Sequence, residues 1–273
     1  MTGALLIARD VVREYGGGRS LFGGRRPAVR AVDGVSIDVA RGRTLGIVGE
    51  SGCGKSTMAR MMVGLLPPTA GEIALDGRSV TALARDERKA LHRKVQLVFQ
   101  DPLGSLNPRK TVRAILEAPL QALHGLGAKA RRDRVAELMS VVGLRAEFAE
   151  RYPHEFSGGQ SQRIGIARAL AADPELIVLD EPVSALDVSI QAQILSLLAE
   201  LQDRLNLTYV FISHDLAVVE TISHEVVVMY LGRVVERGKP TQIFADPRHD
   251  YTRLLLSSVP RTRRHHLAPH LIR

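Results

Sequence analysis

Apolar residues along this chain follow two spacings that alternate with one another. Residues 188–205 carry apolar side chains at the three-to-four-residue spacing of a helix. Short apolar runs of strand length lie on either side of it, at 176–179 (LIVL), 209–212 (YVFI) and 226–230 (VVVMY). Strands that are apolar on both faces favour a parallel sheet covered by helices on each side. The pattern therefore predicts an α/β fold.

The first hundred residues predict one helix and several strands. The helix is expected over 56–66, and it should end before Pro67 and Pro68, since the residue before a proline disfavours helical backbone. Strands are expected over 5–15, on both sides of a turn at Arg41–Gly42, over 71–77 and over 94–101.

Residues 102–156 differ in character from the segments around them. They have helical periodicity and several turns, and no convincing strand. The expected helices are 111–124 and 128–144, the second closed by Gly143. Strands and helices alternate again after this segment. The sequence thus predicts a helical subdomain, at about 102–156, inserted into the α/β fold.

Composition excludes some classes of protein. Of the 273 residues, 45% are hydrophobic, as in ordinary globular proteins. No run approaches the roughly 18–20 consecutive apolar residues that a membrane span needs. The N-terminus has no basic segment followed by a long apolar one, so no signal peptide is expected. The single cysteine, Cys53, cannot form an internal disulfide and fits a reducing compartment.

The net charge of +8 leaves two interpretations open. A basic protein can bind nucleic acid or an anionic membrane surface, or it can simply have a solvated, arginine-rich surface. Only 4% of the residues are aromatic, tryptophan is absent, and no zinc-finger spacing or RNA-binding aromatic motif is found. We therefore expect no nucleic-acid partner.

A glycine-rich loop between a predicted strand and a predicted helix has the pattern of a phosphate-binding loop, GxxxxGK[ST]. The glycines allow backbone N–H groups to surround a phosphate, the lysine can reach its oxygens, and the first hydroxyl can ligate Mg²⁺. Cys53 is interpreted as a small residue of the loop, with a redox role as the alternative. The predicted phosphate-binding residues are Gly49, Glu50, Ser51, Gly52, Cys53, Gly54, Lys55, Ser56 and Thr57.

Two acidic residues follow the apolar run 176–179. Asp180, at the end of a buried strand, can hold Mg²⁺ through water, and Glu181 can act as general base on an attacking water. Many nucleoside triphosphatases share these elements, so on their own they indicate a nucleoside triphosphate and Mg²⁺ without naming a family.

A second glycine turn is more specific. Residues 157–160 (SGGQ) resemble the signature motif of ABC-transporter ATPases, with Phe156 in place of the usual leucine. The resemblance covers residues 5–260 and includes the family's other motifs in order. They are the Q-loop glutamine Gln100, the D-loop aspartate Asp187, the switch histidine His214 and the base-stacking aromatic Tyr15.

This resemblance implies a fold and a set of roles. The fold would be a P-loop NTPase (RecA-like) core with a mainly parallel sheet, an N-terminal antiparallel β subdomain and the inserted helical subdomain. Tyr15 would stack on adenine, with Phe22 as the rival. Ser56, Gln100 and Asp180 would hold Mg²⁺. Catalysis would depend on Glu181, His214, Lys55 and Gln100.

The signature turn would serve a partner's nucleotide. In the family, two ATPase subunits pair head to tail, and each ATP lies between the P-loop of one and the signature turn of the other. By this resemblance Asp187 would lie at the dimer seam. The signature residues would be Ser157, Gly158, Gly159 and Gln160.

Further stretches resemble the oligopeptide/dipeptide permease ATPases, the F-type subunit most, with nickel-import ATPases as close relatives. They are 99–112, 151–160, 181–195, 230–238 and 246–260. The implied partners are a D-type ATPase (or a second copy), two membrane permease subunits and an extracytoplasmic substrate-binding protein. The implied location is the cytoplasmic face of the cell membrane, as a peripheral subunit.

The same resemblance gives the domain boundaries. We expect one ATPase domain over 1–260 and a basic, disordered tail over 261–273, which lacks the cysteines that can hold an iron–sulfur cluster in that group. The insert would dock a membrane subunit, with Leu103–Pro108 reporting the γ-phosphate to it. The alternatives are the same motor in a nickel importer, and a soluble ABC ATPase that acts on nucleic acid or ribosomes.

Overall fold

The structure is a computed structural model that describes residues 3–16, 28–81 and 83–257. Phe22 and the expected tail lie outside these residues. The strands of the described part are β1 (Ala4–Gly16), β2 (Ala28–Ala40), β3 (Thr44–Val48), β4 (Ala70–Leu75), β5 (Arg78–Ser79), β6 (Val95–Val98), β7 (Leu176–Asp180), β8 (Thr208–Ser213), β9 (Glu225–Tyr230) and β10 (Arg233–Gly238).

The helices lie between some of these strands and after the last of them. Two short 3₁₀ helices, Ala146–Glu150 and Pro153–Glu155, precede the fifth α-helix. The described α-helices are α1 (Lys55–Met62), α2 (Arg85–Lys94), α3 (Val112–His124), α4 (Ala128–Val141), α5 (Gly158–Leu170), α6 (Val188–Leu205), α7 (Leu216–Ile222), α8 (Pro240–Ala245) and α9 (Asp250–Ser257).

The chain divides into two compact units. The first comprises residues 1–84 and 210–273, and the second comprises 85–209. The expected single domain over 1–260 and the subdomain limits of 102–156 stay predictions. The segment 102–156 is nevertheless helical, as its periodicity predicts, because it holds α3, α4 and both 3₁₀ helices and no strand.

The first unit contains an antiparallel sheet with the order β2-β1-β4-β5. Ala8 of β1 pairs with Ile37 of β2 on one side and with Ile73 of β4 on the other. All three side chains are buried. Burial of alternate positions in neighbouring strands removes one face of the sheet from water, which stabilises it. This sheet confirms the expected N-terminal antiparallel subdomain.

The first unit also holds a second run of strands, with the order β10-β9-β3-β8. β3 and β9 are parallel, with Gly46 opposite Val226, and the hairpin partner β10 is antiparallel to β9. Every residue of β3 is buried. A strand buried on both faces belongs to a covered parallel sheet, as its apolar run predicts.

In the second unit β6 and β7 are neighbours and parallel, with Leu97 opposite Val178. β7 is buried throughout. The predicted α/β fold with a mainly parallel sheet is therefore confirmed. No described helix is both long enough and apolar enough to cross a membrane.

The structure departs from the sequence-based elements in several places, and helices α8 and α9 have no counterpart among the predicted elements. The helix expected over 56–66 ends at Met62, because Gly64 takes a positive φ of 73° and the N–H groups of Leu65 and Leu66 both turn back to the Arg60 carbonyl. Helix α2 was not expected. Only Leu91 of its ten residues is buried, so it lacks the apolar stripe by which a helix is recognised.

Candidate nucleotide-binding site

The loop between β3 and α1 ends in an uncapped helix start. β3 ends at Val48 and α1 begins at Lys55, with Gly54 at the N-cap in a left-handed conformation (φ 107°). No side chain caps this helix, and its first turn contains no acidic residue. The first N–H groups of a helix lack partners inside it and carry a partial positive charge. Such a terminus fits a phosphate group.

Two glycines of the loop are fixed by close backbone neighbours. A Cβ atom at Gly49 would overlap the carbonyl oxygen of Met229, and one at Gly54 would overlap that of Ala31. Gly49 and Gly54 both have positive φ angles, of 152° and 107°. The loop therefore lies directly against the ends of β9 and β2, and only glycine allows that approach.

Lys55 is folded over this loop. Its side chain is buried, and its Nζ donates to the carbonyl oxygens of Gly49 at 2.7 Å and Glu50 at 2.8 Å. The ammonium group is thus held by loop carbonyls with no carboxylate bonded to it in the described residues. A cation and uncapped N–H groups in one loop fit a polyphosphate, and the structure supports the predicted cradle.

The remaining loop residues divide by exposure. Glu50, Ser51 and Gly52 are exposed, whereas Ser56 and Thr57 are half-buried in the first turn of α1. Cys53 is buried, and its Sγ lies 3.9 Å from the Lys55 Nζ. Burial raises the pKa of the Cys53 thiol. A neutral, buried thiol supports the interpretation of Cys53 as a small residue of the loop.

The first unit holds two further predicted residues. Tyr15, at the end of β1, is 41% exposed, and the Arg13 guanidinium lies 4.9 Å from its ring centroid. His214 is exposed directly after β8. The next residue, Asp215, caps α7 by accepting the Ala217 N–H at 3.0 Å. An exposed ring and an imidazole at a strand end are compatible with the roles that the family resemblance implies.

In the second unit, two predicted catalytic residues are in contact. Val98 of β6 lies opposite Leu179 of β7, so the residues that follow these parallel strands emerge at the same edge. The Gln100 Nε2 donates to the Glu181 Oε2 at 3.1 Å. This bond presents the carboxylate in a defined orientation and leaves the amide oxygen of Gln100 for another partner.

Asp180 is buried at the end of β7, next to this pair. The described residues contain no group of three or more His, Cys, Asp or Glu side chains that could hold a metal ion by themselves. A cation here would need hydroxyl, amide, water or phosphate oxygens as additional ligands. Mg²⁺ prefers such oxygen ligands and keeps several waters, so the Gln100 amide oxygen and the Asp180 carboxylate of this unit fit its chemistry.

The turn before α5 is a complete helix cap. The Ser157 Oγ accepts the Gln160 N–H at 3.3 Å, and the Gln160 Oε1 accepts the Ser157 N–H at 3.1 Å. This reciprocal pair is a capping box. Phe156 is buried edge-on to Phe148, with ring centroids 6.3 Å apart, as expected for a packing position.

The two signature glycines differ in their surroundings. Gly158 is exposed, whereas Gly159 is buried, and a Cβ atom on Gly159 would lie 2.5 Å from the Cγ2 of Ile190 in α6. Asp187 caps that same helix, since its Oδ1 accepts the Ile190 N–H at 2.9 Å. The signature turn therefore packs against the start of α6, through Gly159 and Ile190 and through Gly158 and Leu186.

Asp187 also accepts the Ser189 hydroxyl at 2.6 Å. The hydrogen bond from Ser189, together with that from the Ile190 N–H, holds the pKa of the Asp187 carboxyl below its ordinary value of 3.8. The aspartate is charged at neutral pH and favourably placed at a helix N-terminus.

Comparison with known proteins decides the family. Residues 32–184, more than half of the chain, match the family model described as ABC transporter. The chain belongs to this family. Residues 235–272 match a second model, described as the C-terminal region of oligopeptide/dipeptide transporters. The resemblance drawn from the motifs is thereby confirmed at both levels.

Several similar ABC proteins align over most of this chain. The oligopeptide transport ATP-binding protein AppF of Bacillus subtilis is 53% identical over 95% of this chain and 79% of its own. The dipeptide transport ATP-binding proteins DppF of Haemophilus influenzae and of Escherichia coli are 54% and 52% identical, over 98% and 94% of this chain and 80% and 77% of theirs.

Solved cassette structures have the same fold. The dimeric cassette MJ0796, in a post-hydrolysis state with ADP and Pi, is 31% identical and aligns with a TM-score of 0.76, over 86% of this chain and 98% of its own. The protein cbiO1 from Clostridium perfringens is 27% identical, with a TM-score of 0.74 over 95% of this chain and 97% of its own.

One residue in contact with the loop of this ABC cassette was not found by sequence reasoning. The Tyr251 hydroxyl on α9 accepts the Glu50 N–H at 2.9 Å. The two residues are 201 positions apart, and no local pattern links them. The match of 235–272 to a C-terminal family region marks the segment but not this contact.

Proposed function

We propose that this chain is the ATP-hydrolysing subunit of an ABC importer for dipeptides and oligopeptides. The observation that carries the substrate class is the pair of family matches in one chain, an ABC transporter domain followed by the C-terminal region of oligopeptide/dipeptide transporters. Relatives with peptide-transport names cover more than nine-tenths of the chain, which supports the same assignment.

ATP is held by its phosphates in this proposal. Backbone N–H groups within the loop Gly49–Thr57, other than that of Glu50, donate to phosphate oxygens, and Lys55 exchanges its loop carbonyls for the β- and γ-oxygens. At an effective dielectric constant of about 20, a charge pair near 4 Å contributes roughly 4 kcal/mol. Tyr15 offers its exposed ring to the adenine.

Ser56, Gln100 and Asp180 are the proposed Mg²⁺ ligands, Asp180 through water. When bound, the ion neutralises phosphate charge. Glu181 accepts the proton of the attacking water on its carboxylate, and the Gln100 amide holds that carboxylate in place. His214 is assigned to the γ-phosphate as a hydrogen-bond donor. These roles are supported by the positions of Asp180 at the end of β7, Glu181 directly after it and His214 directly after β8.

The signature residues Ser157–Gln160 act in this proposal on the nucleotide of a partner cassette, with Asp187 at the seam between the two. The uncapped start of α1 and the capped start of α5 are consistent with this division. The partner is a D-type ATPase subunit or a second copy of this chain. Each ATP would contact the P-loop of one subunit and the signature turn of the other. The dimer equilibrium would therefore depend on the γ-phosphate.

The membrane partners are proposed from the same family assignment. They are two permease subunits, contacted through the helical insert at about 102–156 with Leu103–Pro108 reporting the γ-phosphate to that contact, and a substrate-binding protein outside the membrane. The chain would then be a peripheral subunit at the cytoplasmic face. Cysteines placed in Leu103–Pro108 should crosslink to cytoplasmic loops of the permease subunits, and consistent failure to crosslink would contradict this docking.

An uptake assay tests the transport function. The gene is deleted in its host, and labelled tripeptide and ⁶³Ni²⁺ uptake are measured after return of the wild type or of Lys55→Ala. Peptide uptake should return with the wild type and not with Lys55→Ala. Nickel uptake that follows this pattern, with peptide uptake unaffected, would refute the peptide assignment and favour a nickel importer.

A further inference from the structure

Tyr251 reaches the phosphate-binding loop from the C-terminal helix. It lies on α9, inside the stretch that matches the C-terminal region of oligopeptide/dipeptide transporters. Its ring is buried and stacks on that of Tyr230, with centroids 4.1 Å apart and an angle of 30° between the planes. Its hydroxyl oxygen is 2.9 Å from the Glu50 backbone nitrogen. The hydroxyl is therefore fixed by packing.

The group that Tyr251 contacts is also the group that holds Lys55. The Glu50 N–H and the Gly49 carbonyl belong to one peptide unit, and in a trans peptide they point to opposite sides. Tyr251 accepts the N–H on one side. On the other side the Gly49 carbonyl accepts the Lys55 Nζ at 2.7 Å. A single peptide thus joins the hydroxyl to the ammonium group.

This peptide needs an external restraint. It is flanked by Gly49, which has a φ of 152° and no side chain to limit rotation. Further along, the Cys53 carbonyl accepts the Gly232 N–H at 3.0 Å, which holds the middle of the loop. The hydrogen bond to Tyr251 holds its entry. Without it, the Glu50 N–H could leave its position, and the Gly49 carbonyl would rotate with it.

We propose that Tyr251 is a positioning residue for nucleotide binding, which orients the Gly49–Glu50 peptide and through it places Lys55 for the phosphates. The role rests on the proposed function, since it assigns Lys55 to ATP. It also gives the C-terminal region a task inside the ATPase cycle. Burial raises the pKa of the Tyr251 hydroxyl, so the group next to this peptide stays neutral at physiological pH.

The chain offers a matched control in Tyr230. Tyr251→Phe keeps the stacked ring and removes only the hydroxyl. Tyr230→Phe removes a hydroxyl from the other member of the same stack, whose side chain faces partly to solvent. If the hydroxyl acts by general stability alone, the two variants should behave alike. If it acts on the loop, only Tyr251→Phe should change ATP binding.

Titration with a fluorescent ATP analogue, mant-ATP, in the presence of Mg²⁺ measures the effect on the full chain. Tyr251→Phe should raise the Kd about three- to tenfold, the range expected for one lost hydrogen bond. Tyr230→Phe should match the wild type, and both variants should unfold at temperatures close to the wild-type value. Equal Kd values for wild type and Tyr251→Phe would overturn the inference.

A double-mutant cycle with Lys55→Ala tests the route through the lysine. Adding Tyr251→Phe to Lys55→Ala should raise the Kd no further, because the group that the hydroxyl positions is gone. A full three- to tenfold effect in the Lys55→Ala background would overturn the route through Lys55. If the wild type binds no mant-ATP, the proposed function fails. If the wild type binds mant-ATP and Tyr251→Phe binds it with the same Kd, only the role of Tyr251 fails.

Hydrogen exchange gives a readout that needs no nucleotide. In the wild type the Glu50 amide should exchange slowly, although the Glu50 side chain is exposed. It should exchange faster in Tyr251→Phe and at the wild-type rate in Tyr230→Phe. Fast exchange of this amide in the wild type would show that the hydrogen bond does not persist in solution, and the inference would fall.

Discussion

Glu181 has an unusual backbone for a residue with a side chain. Its φ is +50°, directly after the last residue of β7, and the Ser184 hydroxyl donates to its carbonyl oxygen at 3.1 Å. A left-handed conformation costs an L-residue roughly 1–2 kcal/mol. The turn that follows, with the bond from Gln100, maintains this conformation and presents the carboxylate at the strand end.

Glu181→Gln should therefore stop hydrolysis while leaving binding in place. The glutamine keeps the shape and an oxygen for the Gln100 amide, but it cannot accept a proton. Phosphate release should fall about 10²- to 10⁴-fold, the usual contribution of a general base. Glu200→Gln, on an exposed position of α6, is the control and should hydrolyse normally. Normal turnover in Glu181→Gln would mean that another group is the base.

A loop position can require glycine because of its backbone conformation or because a neighbouring backbone atom lies too close for a side chain. Gly52 and Gly54 allow the two reasons to be tested separately. Both have positive φ angles, but only at Gly54 would a Cβ atom meet a backbone oxygen, whereas Gly52 has open space around it. Gly52→Ala should cost about 1–2 kcal/mol from conformation alone. Gly54→Ala should cost about 1–3 kcal/mol more from overlap with Ala31. Thermal unfolding measures both, and equal Tm values would contradict the close approach.

The contribution of the Asp187 cap to the stability of α6 should depend on pH. The folded pKa of Asp187 lies below its ordinary value of 3.8, because the Ser189 hydroxyl and the Ile190 N–H bond to the charged form. The stabilisation is therefore complete above pH 3.8 and is lost as the pH falls through the folded value. Asp187→Asn keeps a cap that cannot titrate.

The Tm of the wild type should exceed that of Asp187→Asn by a few degrees at pH 6. The difference should shrink below pH 3.8. Thermal unfolding of both proteins from pH 6 to pH 3 measures it. A difference that is constant over this range, or that grows on acidification, would show that the charge of Asp187 does not stabilise the helix.

Elements with strong patterns were predicted and elements without them were not. β7 and β8 are fully buried, and their apolar runs predict this from the sequence. α2 has one buried residue in ten, so its polar sequence carries no stripe. The early end of α1 depends on Gly64 and on two N–H groups that share one carbonyl, a detail that apolar spacing does not encode.

The site was predictable where its residues are neighbours in sequence. The P-loop is a local motif because consecutive N–H groups bind one phosphate, so Gly49–Thr57 can be read directly. The Gln100–Glu181 contact follows from the two parallel strands that precede these residues. Tyr251 could not be found in this way, because its contact with Glu50 depends on how α9 packs.

At the scale of the whole molecule, the ends of two helices suggest why a cassette would need a partner. The start of α1 has no capping side chain, and the ammonium of Lys55 bonds to two loop carbonyls and the Cys53 sulfur, with no carboxylate bonded to it in the described residues. The start of α5 has a capping box, so its serine is already committed within the chain. Of the two turns, the first therefore has the features that fit a phosphate, an uncapped helix start and a lysine side chain.

The signature turn should consequently matter for pairing and not for the first binding of ATP. In Glu181→Gln with MgATP, we expect a dimer by light scattering, with the D-type partner or with a second copy. Adding Ser157→Arg should leave the mant-ATP Kd near that of Glu181→Gln, because Lys55 and its loop are unchanged. It should abolish the dimer, because an arginine replaces the small serine where the partner's phosphates would dock.

Arg132→Ala, on an exposed position of α4, is the control when it is added to Glu181→Gln. This double variant should dimerise like Glu181→Gln alone. A dimer that survives Ser157→Arg at the same concentration would exclude the signature turn from the interface. Loss of mant-ATP binding in this variant would instead place the turn in the chain's own nucleotide site.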